Sequence, residues 1–449
     1  MDHGTQDRQM ALEVARRVAE LGGSCYYVGG FVRDAILGRE NKDIDIEIHG
    51  ITPEQLRQIL DSLGQRITIG ESFGIYGLKG CGLDFAMPRR EEARGMGHRD
   101  FDIYVDPFIG TRGAAKRRDF TVNAMMQDVL TGQILDHFGG RADLEAGILR
   151  HVNDSSFGED PLRVLRGAQF AARFGFRLAE ETVALCRGMD LEQLPKERIE
   201  GEMKKALLKA PKPSVFFEVL RQTEQLGYWF PELKALIGVP QNPRYHGEGD
   251  VWNHTMLVLD QAAKLRGQVR EPFWFMMAAA AHDFGKALCT VEKNGVLHAY
   301  DHEQLGLAPA EAFLRRITTE TKGIRYVLNL VELHMKPNVV AKARSAVKVT
   351  NRMFDRAIDP EALVAIALAD DLGRISGEPA GAQEAFLRER LELFRQIMAR
   401  PCVMGRDLIE AGLKPGEEFT RLLEHAHKLR LAGIEKDRAL KEVLGMRRQ

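Results

Sequence analysis

The feature that most constrains the fold is a change of pattern about a third of the way along the chain. Short apolar segments typical of strands occur at 24–28, 43–48, 75–78 and 83–86, with a weaker one at 103–106. Helix-period segments, as at 31–37 and 53–63, interrupt them. From about residue 160 the pattern is almost wholly helical, with breaks at Pro195, 211–213, 239–243 and 377–381. The sequence therefore predicts a mixed α/β head followed by a long helical remainder.

The length of the chain suits several domains. It has 449 residues. Because a domain commonly has about 150 residues, we expect roughly three globular units. Within the two-part pattern we predict four regions. These are an α/β head at 1–140, a helical neck and body at 141–240, a second helical domain at 241–395 and a helical tail at 396–449.

The charge balance limits the kinds of partner. Lys plus Arg number 63 and Asp plus Glu number 64, so the formal net charge is −1. This excludes a polybasic, histone-like protein. A locally basic groove for nucleic acid remains compatible, because electrostatic steering depends on where the charges lie.

Apolar runs and cysteines indicate the compartment. The longest unbroken apolar run has nine residues, at 273–281, about half of what a bilayer span needs. The first residues lack the basic and then apolar pattern of a signal peptide. The five cysteines form no CxxC pair, which argues against a disulfide framework or a zinc ribbon. We expect a soluble cytoplasmic protein with no membrane segment.

A glycine turn follows the first predicted strand. Val28-Gly29-Gly30 leads into a helix that carries Arg33 one turn later. A helix N-terminus offers free N–H groups, and glycine lets a phosphate approach that backbone closely. Many α/β proteins have such a turn for steric reasons alone, so this motif by itself is a weak indication of phosphate binding.

Acidic residues alternate along the second predicted strand. Asp43, Asp45 and Glu47 share one face, while isoleucines occupy the other. Two carboxylates about 7 Å apart along a strand suit Mg²⁺, which prefers oxygen ligands. The alternative is a half-exposed strand with an acidic outer face, although Asp is disfavoured in strands. Asp84 is a weaker candidate for a third carboxylate.

Adjacent arginines follow later in the head. Arg117 and Arg118 precede Asp119 and an Asn123-Ala124 pair. The guanidinium fork suits triphosphate oxygens, although such a basic pair is usually a solvated surface.

The order of these motifs resembles the head of bacterial class II tRNA nucleotidyltransferases, the CCA-adding enzymes and their poly(A) polymerase relatives. The resemblance implies a polymerase-beta-like head, with CTP, ATP and tRNA as substrates. It implies that Asp43 and Asp45 are catalytic and hold Mg²⁺. The implied nucleotide-binding residues in the head are Gly29, Gly30, Arg33, Arg118 and Asp119, with Asp119 near the ribose.

The neck carries a second part of the resemblance. Asp160, Arg163 and Arg166 step by three and lie along one stripe of a predicted helix that begins with Pro161. The simple interpretation of Asp160 is a helix cap. The family resemblance makes Asp160 and Arg163 the residues that select the base, with Arg166 a further nucleotide contact. Gln169 replaces an arginine that is usual in the family.

Two further residues match a family motif that supports this helix. Arg198 and Glu202 are four positions apart, which alone would indicate only a surface ion pair. Between the head motifs, the polar segment 89–101 matches the position of a flexible loop linked to the switch from C to A addition.

The helical region at 241–395 resembles the HD phosphohydrolase superfamily. His254, the pair His282-Asp283 and the distal Asp370 occur in the order typical of these enzymes. Imidazole and carboxylate ligands suit a divalent transition metal that activates water against a phosphoester. His302 and His334 are candidates for extra ligands or substrate contacts. In relatives such domains are associated with phosphatase and 2′,3′-cyclic phosphodiesterase activity.

The sequence favours a CCA-adding enzyme with a second hydrolase activity and an RNA-binding tail. Poly(A) tailing, A-only addition and CC-only addition remain open, because the head and neck motifs barely separate them. A rival of another class is an HD phosphohydrolase whose head only docks RNA. The identity of the HD metal, its substrate and the oligomeric state are not determined by the sequence.

Overall fold

The computed structural model describes residues 3–70, 75–93, 101–376 and 381–446. The chain forms two compact units. The first comprises Met1–Leu194 with Gln222–Gln225, and the second comprises Pro195–Arg221 with Leu226–Gln449. The division into four domains stays a prediction.

The strands lie almost entirely in the first unit. They are β1 (Ser24–Val28), β2 (Ile44–His49), β3 (Arg66–Gly70), β4 (Ile75–Leu78), β5 (Leu83–Ala86), β6 (Arg89–Ala93), β7 (Phe101–Val105), β8 (Met126–Asp128), β9 (Ile134–Leu135), β10 (Ile148–Leu149), β11 (Arg177–Leu178), β12 (Thr290–Lys293) and β13 (Val296–Ala299). Seven of them form one sheet in the order β3-β4-β5-β2-β1-β8-β9. Within it β2 and β5 are parallel, and the other neighbours are antiparallel.

Alternation along β2 places its carboxylates. Ile44, Ile46 and Ile48 are buried in the head core, whereas Asp45 on the opposite face is exposed. Glu47 departs from this simple alternation because it is only 8% exposed. The acidic face of β2 is therefore exposed at Asp45 and buried at Glu47.

The helices of the first unit surround this sheet and continue into the neck. They are α1 (His3–Glu20), α2 (Gly30–Ile36), α3 (Pro53–Leu63), α4 (Gly110–Lys116), α5 (Gly140–Ala146), α6 (Asp154–Gly158), α7 (Leu162–Phe174) and α8 (Glu180–Arg187). Helix α3 has the capping box that its sequence favours, since Thr52 and Gln55 exchange side-chain to backbone hydrogen bonds. Helix α7 buries a broad apolar face within the same compact unit as the sheet.

The second unit is helical apart from the hairpin β12–β13. Its helices are α9 (Lys196–Lys209), α10 (Ser214–Gln222), α11 (Leu226–Trp229), α12 (Pro231–Lys234), α13 (Val251–Leu265), α14 (Pro272–Ala281), α15 (Lys286–Cys289), α16 (His302–Leu305), α17 (Leu307–Ile317), α18 (Thr321–Leu333), α19 (Lys336–Lys342), α20 (Val347–Arg356), α21 (Pro360–Leu372), α22 (Glu384–Ala399), α23 (Gly405–Glu410), α24 (Glu417–Leu431) and α25 (Lys436–Gly445).

Four of these helices build the centre of the second unit. Helices α13, α14, α18 and α21 pack on one another. Residues 273–281 of α14 are all buried, because the helix is apolar on every side. The apolar run noted in the sequence is thus a core helix. No helix in the described ranges is both long and apolar enough to cross a bilayer.

The predicted elements agree closely with the observed ones in the head. The strand expected at 43–48 begins one residue later, which leaves Asp43 in the preceding loop. The polar segment 89–101 was expected as a loop, but its two ends form the antiparallel pair β6–β7. Residues 94–100 of that segment lie outside the described residues, as do 377–380 of the predicted break.

Candidate active sites

A cavity of about 360 Å³ opens beside β2 in the first unit. Its polar lining combines carboxylates with guanidinium groups: Asp45, Glu47, Asp84, Arg89, Arg117 and Arg118. Cations and carboxylates facing one space suit a ligand that carries several phosphates together with a metal ion.

Two exposed carboxylates lie side by side in this cavity. Asp45 on β2 is the register partner of Asp84 on the parallel neighbour β5. Loss of solvent raises the pKa of Asp45, Arg118 opposes this shift, and Asp84 and Asp43 raise the pKa further. Adjacent carboxylates attract a divalent cation, because the cation removes the repulsion between their negative charges. The residues present therefore fit Mg²⁺.

Glu47 takes a different part from Asp45. Its Oε1 lies 2.9 Å from His49 Nε2, and its Oε2 accepts a hydrogen bond of 2.9 Å from Arg118 Nη2. Burial alone raises the pKa of Glu47, but Arg118 and His49 outweigh burial and hold it below its usual value. Glu47 thus stays ionised and positions the Arg118 guanidinium beside the cavity.

The glycine turn brings the backbone close to these groups. Gly29 has φ of 66°, in the left-handed region that favours glycine. A Cβ on Gly29 would lie 3.3 Å from Arg118 Nη1 and 3.9 Å from Asp45 Oδ2. The bare backbone at Gly29 therefore lies close to two residues that line the cavity, and a side chain there would crowd the Arg118 guanidinium.

Arg33 lies inside the protein. It is 4% exposed, and its guanidinium binds Asp34 and Asn123 at 2.7–2.8 Å. It also stacks over the Phe174 ring at 4.3 Å. A Cβ on Gly30 would lie 3.4 Å from this guanidinium. The structure thus places Arg33 in a buried network below the glycine turn.

Asp119 is also buried, at 6% exposure. Its Oδ1 accepts hydrogen bonds from Phe120 N and Asn123 Nδ2, and its Oδ2 accepts from Arg166 at 2.7–2.8 Å. Burial raises the pKa of Asp119, but Arg166 and the other donors reverse the shift and lower it. Both oxygens of Asp119 are engaged away from solvent, and Oδ2 positions the Arg166 guanidinium. The ribose contact that the resemblance implies for Asp119 stays a prediction.

Asp160 and Arg163 lie at the start of α7. The helix begins at Leu162, and Asp160 Oδ1 accepts a hydrogen bond from Leu162 N at 3.1 Å. Asp160 therefore caps the helix from just outside it. Arg163 donates to the Arg117 carbonyl at 2.8 Å and to the Ser156 carbonyl. The two side chains are held in place by the backbone around them.

The other neck residues named in the sequence analysis are Gln169, Arg198 and Glu202. Gln169 is 1% exposed, and its Nε2 has no hydrogen-bond partner among the described residues. Arg198 and Glu202 lie on α9, in the second unit. Glu202 is buried and pairs with Lys205 at 2.8 Å.

The second unit holds a cluster of histidines and aspartates. It contains every residue predicted for the HD site together with both extra histidines. Its members are His254 on α13, His282 and Asp283 after α14, His302 on α16, His334 after α18 and Asp370 on α21. All six are 5% exposed or less. Within this cluster, two sets of three residues could each hold a metal ion, because the ligand atoms of each set lie within 4.8 Å of one another. One set is His254, His282 and Asp370, and the other is Asp283, His302 and His334.

The hydrogen bonds of three histidines fix their ring orientation. The Nδ1 atoms of His282, His302 and His334 lie 2.7–2.9 Å from the carbonyl oxygens three residues earlier. A carbonyl only accepts, so each Nδ1 carries the proton and each Nε2 presents a lone pair to the cluster. The buried Nε2 of His282 has no hydrogen-bond partner in the described parts of the chain. The Nε2 atoms of His302 and His334 face each other at 3.3 Å. Lone pairs arranged in this way fit one or two divalent metal ions.

The carboxylates lie between the histidines. Asp283 Oδ2 is 3.3 Å from His282 Nε2, and its Oδ1 is 3.3 Å from His302 Nε2. Asp283 therefore reaches both ligand sets. Burial raises its pKa, but positive charge beside it, including the Lys286 ammonium at 2.7 Å, reverses the effect and holds it well below the usual range. Asp370 lies 3.0 Å from His254 Nε2 and pairs with Arg374.

Glu248 is a residue of this site that the sequence did not reveal. Its side chain is 1% exposed, and its Oε1 lies 2.9 Å from His254 Nδ1 and 2.8 Å from His246 Nδ1. Its Oε2 accepts a hydrogen bond from Ile375 N. A carboxylate on the outer nitrogen of a ligand histidine fixes the tautomer and the ring orientation. Only the short spacing from Glu248 to His254 could have indicated this contact.

Comparisons with known proteins identify the family of the head and of the chain as a whole. Residues 25–150 match the family described as "Poly A polymerase head domain", and residues 175–237 match "Probable RNA and SrmB- binding site of polymerase A". A "Multifunctional CCA protein" of Halorhodospira halophila is 36% identical over 411 residues, which cover 87% of this chain and 92% of that protein. The protein of the same name from Acinetobacter baylyi is 34% identical over 84% of this chain and 90% of its own.

Solved structures share the fold. The Thermotoga maritima CCA-adding enzyme complexed with tRNA_CCA has a TM-score of 0.66 at 21% identity, covering 98% of this chain and 95% of that one. A complex of a CCA-adding enzyme with CTP has a TM-score of 0.68 at 21% identity, covering 99% and 95%. The predicted fold class, a polymerase-beta-like head followed by helical domains, is thereby confirmed. The chain belongs to the multifunctional CCA protein family of class II tRNA nucleotidyltransferases.

Proposed function

We propose that this protein adds C, C and A to the 3′ ends of tRNA from CTP and ATP, without a nucleic-acid template. The observation that carries the proposal is the cavity beside β2. There the exposed carboxylates Asp45 and Asp84 face Arg117 and Arg118 across a space suited to a nucleoside triphosphate. The names of the relatives agree with this reaction.

In the proposed reaction the 3′-hydroxyl oxygen of tRNA attacks the α-phosphorus of the nucleotide. The bond from that phosphorus to the bridging oxygen of the β-phosphate breaks, pyrophosphate leaves, and the hydroxyl proton passes to water. Asp43 and Asp45 would hold Mg²⁺, which stabilises negative charge on the phosphate oxygens when bound. Arg118 would bind the triphosphate, since Glu47 holds its guanidinium beside the cavity.

Base selection is assigned to the start of α7. Asp160 would accept a hydrogen bond from the amino group of cytosine or adenine, and Arg163 would donate to the adjacent ring nitrogen. Guanine and uracil present the opposite order of donor and acceptor, so they would leave both side chains unsatisfied. The backbone contacts of Asp160 and Arg163 support this role, because residues held in place discriminate more sharply than mobile ones. Arg166 would contact the nucleotide one turn further along.

The test is nucleotide addition to three tRNA transcripts that end before the first C, before the second C or before the A. With Mg²⁺, CTP and ATP, we expect all three to be extended to the same CCA end and no further. Long A tails, or extension of only one transcript, would replace this proposal with poly(A) or partial addition. No extension at all would overturn it.

We also propose a metal-dependent phosphohydrolase in the second unit, with tRNA 3′ phosphate or cyclic phosphate ends as the substrate class. The buried histidines with Nε2 lone pairs directed at Asp283 carry this proposal. They would hold a divalent transition metal, which supplies activated water when bound. Metal analysis of the purified protein and hydrolysis of 2′,3′-cyclic nucleotides test it. Metal-free protein that neither binds added Mn²⁺, Ni²⁺ or Zn²⁺ nor hydrolyses these substrates would contradict it.

The proposed place of action is the cytoplasm. All five cysteines are free thiols in the structure, which suits a reducing compartment. Fractionation of cells that express the tagged chain tests this location, and recovery from a membrane or secreted fraction would contradict it.

A further inference from the structure

An unbroken series of hydrogen bonds leads from the aspartate loop of the head to helix α7. It begins at the backbone of Asp43, whose N–H donates to Asn41 Oδ1 at 3.0 Å. Asn41 Nδ2 donates to Asp34 Oδ2 at 2.8 Å, and Arg33 Nε donates to Asp34 Oδ1 at 2.8 Å. The loop that carries Asp43 is thus tied to a buried ion pair.

The series continues on the other side of Arg33. Arg33 Nη1 donates to Asn123 Oδ1 at 2.7 Å, and Asn123 Nδ2 donates to Asp119 Oδ1 at 3.0 Å. Asp119 Oδ2 then accepts from Arg166 on α7 at 2.7–2.8 Å. All of these residues belong to the first compact unit.

The interior of this series is shielded from water. Arg33, Asp34, Asp119 and Asn123 are each 7% exposed or less. Hydrogen bonds between buried charged groups are strong, and removing one member leaves its partners unsatisfied. The Arg166 side chain is 33% exposed, but the carboxylate that it binds is buried, so a shift of Arg166 acts on Asp119 and through it on Asn123.

We propose that Asn41 and Asn123 are positioning residues that couple the base-selecting helix to the metal-holding aspartates. Asn41 holds the backbone of Asp43, and Asn123 joins the Arg33–Asp34 pair to the Asp119–Arg166 pair. Neither asparagine lines the cavity beside β2. Correct nucleotide contact at Arg166, on the helix that carries the base-selecting residues, and correct placement of Asp43 are then two ends of one arrangement. This inference rests on the nucleotide addition proposed above.

The test is a double-mutant cycle on ATP addition to a tRNA that ends in CC. Two quantities are measured: the Mg²⁺ concentration for half-maximal rate and the ratio of ATP to GTP incorporation. We expect Asn41→Ala and Asn123→Ala each to raise the Mg²⁺ requirement about five-fold and to lower the ATP:GTP ratio. Because they break the same series, the double variant should require about as much Mg²⁺ as either single variant, whereas independent effects multiply to about 25-fold.

Two results would overturn the inference. One is a multiplicative double variant. The other is an Asn41→Ala protein whose Mg²⁺ requirement rises while its ATP:GTP ratio is unchanged, since that separates the two ends. Lys79→Ala, on an exposed turn of the head, is the control and should alter neither quantity. If the unaltered protein adds no nucleotide, the proposed function fails instead, which is a distinct result.

A binding measurement covers variants that fold poorly. Asn123→Ser, which adds no carboxylate beside Asp119, replaces Asn123→Ala if that variant is unstable. Mn²⁺ binding without substrate, followed by electron paramagnetic resonance, gives a second readout. The Asp43→Asn, Asp45→Asn double variant lacks the metal site of the head. The Mn²⁺ binding of the unaltered protein minus that of this double variant therefore gives the binding by the head. We expect Asn41→Ala to weaken this binding about five-fold, and an unchanged affinity would contradict the positioning role.

Discussion

Asp45 and Asp84 lie opposite each other on the parallel strands β2 and β5, and both are exposed to the same cavity. Asp84 thus adds a third carboxylate to the pair that alternation along β2 predicts. The register of two strands that are far apart in the chain creates this arrangement.

Asp84 should influence the pH below which the rate of nucleotide addition falls, which is the acid limb of the pH–rate profile. Asp45 must be ionised to hold Mg²⁺, and its pKa is raised by loss of solvent and by the charges of Asp84 and Asp43. Asp84→Asn removes one of these negative charges, so the pKa of Asp45 falls and the acid limb moves to lower pH. Single-turnover rates against pH measure this shift. Asp84→Glu keeps the charge and serves as the control, and an acid limb that stays in place in Asp84→Asn would contradict the assignment.

Gly29 and Gly38 offer a matched pair of substitutions. Both have φ of 66°, so alanine at either position costs about 1–2 kcal/mol of backbone strain. Only Gly29 lies against the site, since a Cβ at Gly38 meets nothing within 4 Å. We expect Gly29→Ala and Gly38→Ala to lower Tm similarly, while only Gly29→Ala raises KM for CTP and ATP. Equal KM values in the two variants would show that the glycine turn does not border the nucleotide.

Arg163 should set the preference for cytosine and adenine. Arg163→Lys loses the planar fork and its two backbone anchors, and lysine does not reproduce that geometry. We expect the preference for CTP and ATP over GTP and UTP to fall about 10–100-fold. Arg173→Lys, at the far end of the same helix, should keep the preference. Competition between the four nucleotides on one tRNA measures it, and unchanged selectivity in Arg163→Lys would assign base choice elsewhere.

Glu248 should govern metal affinity in the second unit. Glu248→Gln weakens the contact that fixes the His254 ring, so the affinity of the HD cluster for a divalent transition metal should fall about 10–100-fold. Glu292→Gln, on the exposed hairpin strand β12, is the control. Competition with a chromogenic chelator gives the affinity, and a value equal to that of the unaltered protein would remove Glu248 from the site.

Much of the head could be predicted because its signals are local. The strand Ser24–Val28 and the helix Pro53–Leu63 follow from apolar periodicity and from caps encoded within a few residues. The resemblance to the HD phosphohydrolase superfamily indicates His254, His282, Asp283 and Asp370, and the structure brings these four residues together.

What the sequence missed depends on contacts between distant residues. The burial of Arg33 arises from packing against Phe174, 141 positions later (174 − 33), and the full engagement of Asp119 depends on Arg166. Asp84 is only a weak candidate in the sequence, because its pairing with Asp45 depends on the order of strands in the sheet, which periodicity does not give. The role of Glu248 is seen only in the structure, where its side chain is directed at His254 Nδ1.

The account's central claim is that two separate sites perform two reactions, and a reciprocal inactivation tests it most directly. CCA addition and 2′,3′-cyclic nucleotide hydrolysis are measured side by side in Asp45→Asn and Asp283→Asn. We predict that Asp45→Asn abolishes addition and keeps hydrolysis, while Asp283→Asn does the opposite. Addition that persists in Asp45→Asn, or hydrolysis that persists in Asp283→Asn, would contradict the account.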